Sequence, residues 1–238
     1  MSRWGRTLLA WAVLANAAAA SAQPAADPDN PSCPGKPDWG PLKAMTITPK
    51  VVDGKHVLVL DGVVEDTLPA RLKAAIDKDD QVEEIWLKSR GGDAEAGNAA
   101  GRVVRSFPGM ATRIPAGWTC FSSCNFIFMG GDRRYVEPGG VFMVHMFTHT
   151  QDRDVIDVSV GEGTEETIKL IGEIEQSSAL LASQDNDFLI RMGISRKLLT
   201  DVMYKQQAVA TGANKSTRYC LSQAEVRKYN VVPLETAG

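Results

Sequence analysis

The sequence predicts an α/β fold of repeated strand-helix units with parallel sheet pairing and a C-terminal helical portion. Three observations carry this. Short runs rich in β-branched residues, H-V-L-V-L at 56–60 and V-E-E-I-W-L at 82–87, have strand length and strand composition. From residue 56 the order runs strand, helix, strand, helix, strand, helix, which needs helical crossovers and so parallel neighbours. The glycine pair of S-R-G-G-D at 89–93 directly follows a strand and opens a helix of small residues.

The first residues give an address. Met1 to Arg6 carries Arg3 and Arg6 and no acid, Thr7 to Ala20 is a short apolar run, and Ala20-Ser21-Ala22 has the A-x-A form of a cleavage site. Residues 1–22 are therefore expected to be a signal peptide cut before Gln23, with the product periplasmic or secreted. Gln23 to Pro41, rich in Pro, Asp and Ala, reads as a disordered or loosely docked leader. Residues 42–238 are long enough for a single domain with a sizeable core. The 238-residue chain has a net charge of −3, and losing Arg3 and Arg6 makes it more acidic. That speaks against nucleic acid or an anionic membrane as partner. No other run is long and apolar enough to span a bilayer.

Within the domain, Met45–Thr48 and His56–Leu60 read as strands joined at Asp53-Gly54. Asp66–Ile76 reads as a helix with Leu68, Leu72, Ala75 and Ile76 on one face. Val82–Leu87 is the next strand. The following helix, to about Phe107, has alanine or glycine at 94, 96, 97, 99, 100 and 101 and is built for close packing. Met110–Ile114 is a strand. The stretch from Trp118 turns at Ser122-Ser123 into an apolar helix, and strands follow at 134–136 and 141–147. Thr148–Gly163, polar and acidic, reads as a flexible loop or lid. Thr164-Glu165-Glu166 opens a long helix, with Ile168, Ile171, Ile174, Leu180 and Leu181 among its apolar positions. After a break at Gly193 come a capped helix from Ser195 through Tyr204, a strand near Tyr219 and a helix over Ser222–Tyr229.

Four cysteines, Cys33, Cys120, Cys124 and Cys220, point in an exported chain to disulfides with three connectivities open. The favoured pairing joins Cys120 to Cys124 around Ser122 and Cys33 to Cys220 across the fold. Zinc is the other use of such residues, but C-x3-C without a second pair gives it little support.

The chemistry concentrates in W-T-C-F-S-S-C-N-F-I-F-M-G-G at 118–131 and V-F-M-V-H at 141–145. Ser122 stands where a strand turns into a helix. A serine there is either a helix cap or a nucleophile whose developing charge the helix amides favour. Ser123 and the Cys124 thiol are the neighbouring alternatives as nucleophile. His145 is either a base near neutral pH or a core histidine. Gly91 and Gly92 form either a plain turn or a close-approach donor loop.

S-R-G-G-D, C-F-S-S-C-N-F-I-F-M-G-G, V-F-M-V-H and C-L-S-Q-A-E-V-R-K-Y-N-V-V, in that order over roughly Val57–Val232, resemble the Clp protease proteolytic subunit. They also resemble signal peptide peptidase A, both within the crotonase-like superfamily, and most of all exported bacterial proteins of that fold with a C-x-S-x-C motif. The resemblance implies a Clp-protease/crotonase-like fold, with Ser122 as nucleophile and His145 as general base. Asp201 is the best positional match for the acid, with Asp185 and Asp187 as fallbacks. It also implies an oxyanion hole from the amides of Ser123 and of Gly91 or Gly92, no cofactor or metal, a polypeptide substrate, and a homo-oligomer. The expected function is an exported serine hydrolase of the peptidase kind. The alternative is a catalytically silent periplasmic binding or scaffolding protein on the same fold. Acyl-thioester chemistry, as in crotonases, fits poorly with a chain expected outside the cytoplasm.

Overall fold

The structure, a computed structural model, describes residues 25–150, 152–212 and 215–233. The expected signal peptide and its cleavage site lie outside the described residues.

The chain opens with a hairpin, β1 (Thr46–Val52) against β2 (Lys55–Asp61). Asp53 and Gly54 make its turn with positive φ, 51° and 78°, as the twist of a two-residue hairpin requires. Val57 to Leu60 are all buried, so β2 is covered on both faces like an interior parallel strand. It pairs in parallel with β3 (Val82–Lys88), which pairs in parallel with β4 (Ala111–Ile114), and β4 with β6 (Arg133–Val136). The sheet order is β1-β2-β3-β4-β6. Helix α1 (Leu68–Lys78) crosses from β2 to β3 and buries Leu68, Leu72 and Ile76 at i, i+4, i+8 spacing.

Helix α2 (Ala94–Arg105) crosses from β3 to β4 and faces α3 (Cys124–Met129). Its small residues decide the distance. A Cβ on Gly97 would lie 2.6 Å from the Ser123 carbonyl oxygen, so α2 meets the start of α3 at backbone contact. A second sheet, β5-β7-β8, pairs β5 (Thr119–Phe121) in parallel with β7 (Val141–Val144), and β7 antiparallel with β8 (Tyr219–Cys220). Leu60, Ile85, Leu87, Ile114, Phe128, Phe142 and Phe188 lie in the core between these layers. The long helix α5 (Thr164–Arg191) packs Phe188 on Phe126 with ring centroids 5.2 Å apart. The chain closes with α6 (Gln223–Lys228), begun by a capping box of Ser222 and Glu225.

Four segments depart from the sequence expectation. Residues 153–162, expected as part of a loop, form helix α4 (Arg153–Glu162). Valines and glycine give this stretch weak intrinsic helicity, and the helix stands because it packs on α5. The Thr167 hydroxyl donates to the carbonyls of Ser159 and Gly163 at their junction. The helix expected through Tyr204 is instead a π-helical turn (Leu198–Val202) and a 3-10 turn (Met203–Lys205), and the first of these buries Leu198, Leu199 and Val202 together. Strand β7 ends at Val144, so His145 follows the strand.

The fourth is the leader, which from Ala25 onward is docked. Cys33 is bonded to Cys220. Asn30 Oδ1 accepts from the Thr217 and Arg218 amides, and Arg218 pairs with the buried Asp27. That guanidinium holds the Asp27 carboxyl down at about 2. Partners from the far end of the chain, invisible to local composition, supply this order. No helix among the described residues is long and apolar enough to cross a membrane.

Candidate active site

The site forms where parallel strands end. The register Cys120↔Phe142 and Phe121↔Met143 brings the exits of β5 and β7 level. The exit of β3 lies beside them through the Ser89↔Cys120 bridge. The carboxyl ends of parallel strands are the usual place for a site in an α/β fold. Ser122 leaves β5, His145 leaves β7, and Gly91-Gly92 leaves β3.

Ser122 has φ of +58°, a left-handed conformation that non-glycine residues adopt at a cost. Two features surround this turn. Cys120 and Cys124 are bonded across it. A Cβ on Gly91 would come within 2.6 Å of the Phe121 carbonyl oxygen and 2.7 Å of the Ser122 Cβ, so only glycine fits there.

Ser122 Oγ lies 2.7 Å from His145 Nε2. Burial pushes the imidazole below its ordinary pKa, with a backbone hydrogen bond at Met146 opposing. The ring therefore favours its neutral, proton-accepting form. Ser123 is buried and its hydroxyl has no partner among the described residues. The Ser122 side chain caps no helix, because α3 takes Ser123 as its N-cap residue without a side-chain bond.

The backbone amides at the two turns differ in their partners. The Gly91 amide donates to Ser89 Oγ at 3.0 Å and is engaged. The Ser123 and Gly92 amides have no acceptor among the described residues. Of the two glycines, only Gly91 has its amide engaged among the described residues.

No carboxylate among the described residues is hydrogen-bonded to His145. The structure does not bring Asp201 to it: Asp201 sits on the π-helical turn, where its charge is felt by Lys228. Asp187 is on the outer face of α5, paired with Arg191 at 2.8 Å. Asp185, also on α5 but on its inner face, does reach the site. It lines a small space of about 30 Å³ together with Ser122, Ser123, His145, Phe126 and Met203. Its one hydrogen-bond partner is Asn98 Nδ2 at 3.5 Å, and burial pushes its carboxyl up to about 7.

Three supporting residues escaped the sequence reading. Asn125 donates from Nδ2 to the Met143 carbonyl at 2.6 Å, which fixes the serine turn against the strand that delivers His145. A polar residue inside the apolar run C-N-F-I-F-M was the available signal. Phe121 lies 4.7 Å from the His145 ring, and Trp39 of the leader stacks on Phe121 at 5.9 Å. Nothing in the local sequence marks these ring contacts.

No family model matches the chain, and no curated protein is a significant match. Among solved structures, the chain is similar to ClpP1 from Listeria monocytogenes, with 14% identity, a TM-score of 0.48, and 74% of this chain and 88% of that one covered. A point mutant of that protein gives a TM-score of 0.49 at the same identity. An enoyl-CoA hydratase from Shewanella pealeana is similar at 10% identity and a TM-score of 0.43, covering 78% of this chain and 66% of that one. These likenesses concern the type of α/β backbone described above and say nothing of activity.

Proposed function

We propose that this chain is an exported serine hydrolase, of the peptidase kind, that works through a Ser122–His145 pair. The observation that carries the reading is the 2.7 Å separation of Ser122 Oγ and His145 Nε2 at a left-handed turn. A serine hydroxyl attacks a carbonyl only when a base removes its proton, and a histidine held neutral by burial is suited to do so. The tetrahedral oxyanion is received by the Ser123 and Gly92 amides, which lack other acceptors among the described residues. His145 then passes its proton to the leaving amine, and water releases the acyl group by the same route in reverse. With no carboxylate bonded to the imidazole, the backbone at Met146 and the Phe121 ring do the orienting, and Asp201 has no part in the reading. The choice of a peptide bond follows the sequence resemblance. The two disulfides support an oxidising compartment.

The test is covalent labelling with a fluorophosphonate. Wild type is expected to label at Ser122. Ser122→Ala is expected to abolish labelling, and His145→Ala to slow it by orders of magnitude, with the double variant little worse than either. Asp201→Asn is expected to label as wild type. Folded wild-type protein that fails to label would sink the hydrolase. The missing carboxylate partner of His145 favours the second reading, a binding protein on the same fold.

A further inference from the structure

The small space beside Ser122 shares the walls Ala94, Phe147 and Leu181 with a larger cleft of about 450 Å³ that runs past Gly92. The lining of the two carries four carboxylates, Asp93, Glu95, Asp152 and Asp185, and neither lysine nor arginine. Two of the four have local work. Asp93 accepts from the Ala96 amide as the cap of α2, and Asp152 pairs with His149 at 2.8 Å. Glu95 is exposed with no ion-pair partner among the described residues. Arg90, the cation nearest in sequence to the glycine pair, is exposed and outside both linings.

Asp185 is the independent observation. It is 7% exposed, and its only hydrogen bond among the described residues is the long one from Asn98. The Ser123 hydroxyl, buried in the same lining, has no partner among the described residues, nor does the Asn98 carbonyl oxygen. A buried carboxylate without a cation is costly, and such groups collect where a ligand completes them.

We propose that this cleft selects a positively charged substrate, a peptide with lysine or arginine beside the scissile bond, through Asp185 and Glu95. The proposal rests on the serine-hydrolase reading for the place of the scissile carbonyl. The carbonyl lies at Ser122 under the Gly92 amide, and the basic side chain occupies the larger cleft with its head toward Asp185. The free space at Asp185 is small and shared with Ser122, so the aliphatic stem lies in the larger cleft against Phe147 and Leu181 and the charged head reaches only the edge of the small space. Burial raises the Asp185 carboxyl to about 7, and a cation beside it reverses that shift. Binding near neutral pH therefore releases protons.

The experiment compares peptidyl diphenyl phosphonates that differ only in the residue next to the warhead: arginine, leucine or glutamate. The arginine probe is expected to label Ser122 at least about tenfold faster than the glutamate probe, the size of one charge-assisted hydrogen bond. Asp185→Asn and, separately, the exposed Glu95→Gln are expected to reduce that ratio. Equal rates for the three probes, alongside normal fluorophosphonate labelling, would overturn this proposal and leave the hydrolase standing. If fluorophosphonate does not label, the hydrolase falls and the selectivity is read by calorimetry of an arginine heptapeptide against its glutamate counterpart. Binding of the arginine peptide alone, with proton release at pH 7, supports the proposal; equal binding, or none, overturns it.

Discussion

Glu84 and Asp185 are buried to similar degrees, at 3% and 7% exposure, and the protein treats them oppositely. Glu84, on β3, receives Arg113 in a two-bond fork at 2.8 and 2.9 Å, the Trp86 indole at 2.9 Å and Lys55 at 3.1 Å. Burial raises its carboxyl, but those bonds win and hold it down at about 2. Asp185 has one long amide bond and no cation, so burial wins and its carboxyl rises to about 7. Both side chains are shielded from bulk solvent, and the charged partners that Glu84 has and Asp185 lacks set the sign. The region around Glu84 is satisfied, and the region around Ser122 is not: it also holds a left-handed serine and an orphan hydroxyl at Ser123. Unsatisfied groups gathered in one place are what the proposed site is read from, whereas the same groups well paired belong to scaffold.

The largest effect is expected at the satisfied carboxylate. Glu84→Ala leaves Arg113 half-buried with only Glu137 to pair with, and breaking a buried pair costs roughly 3–5 kcal/mol. Urea denaturation at pH 7 measures it. A cost under about 1 kcal/mol would mean that the bonds to Glu84 contribute little and that the contrast with Asp185 is one of geometry alone.

Asp185→Asn is expected to act in the other direction, and only at some pH values. A carboxyl whose folded pKa is raised binds a proton more tightly in the folded state. The fold is thus favoured below the unfolded value of 3.8, and that advantage is lost as pH rises through about 7. The asparagine variant lacks this loss. Against wild type it is expected to gain up to about 4 kcal/mol at pH 8 and little at pH 4. A gain that does not change with pH would mean that Asp185 is not the buried acid described here.

How much of this was legible in the sequence follows from where each feature draws its energy. The strands around Val57 and Ile85, helix α1 and the close approach of α2 are written in local patterns of β-branched, i+4 and small residues, and they were readable. The pairing of Ser122 with His145 was expected from the family resemblance and not from local pattern, which carried the strand on to residue 147 and put His145 inside it. For the leader the Cys33–Cys220 tether was among the expected pairings, but the polar contacts of Asp27 and Asn30 with residues 217 and 218 were not readable, because their partners lie at the far end of the chain. Helix α4 was hidden by its valines and glycine. The acid position misled for a related reason. Asp201 fits the spacing, but the inner face of the 28-residue helix α5 brings Asp185 to the lining beside Ser122, and a tertiary contact of that kind leaves no periodic trace.

His145 sharpens the comparison from the other side of the site. Burial disfavours its charged form, and an imidazole must be neutral to accept the Ser122 proton. The acid limb of labelling rate against pH is therefore expected below 6.5, the ordinary histidine value. A limb above that value would mean that a negative charge stabilises the imidazolium, which would place an ionised Asp185 beside the ring.

The smallest effect on stability, and the most telling for the site, concerns Cys120 and Cys124. Their bond closes a loop spanning only four positions, so by loop entropy it contributes about 2 kcal/mol. Ser122 inside that loop gives back roughly 1–2 kcal/mol through its positive φ. The Cys120→Ser/Cys124→Ser double variant is thus expected to fold with nearly the wild-type midpoint. Labelling at Ser122 is expected to fall much further, because a turn released to negative φ swings the hydroxyl out of reach of His145. Undiminished labelling in the double variant would show that Gly91 and the Asn125–Met143 bond hold the turn without the disulfide. The strain at Ser122 would then belong to the packing of α2 and α3 and not to the cysteine pair.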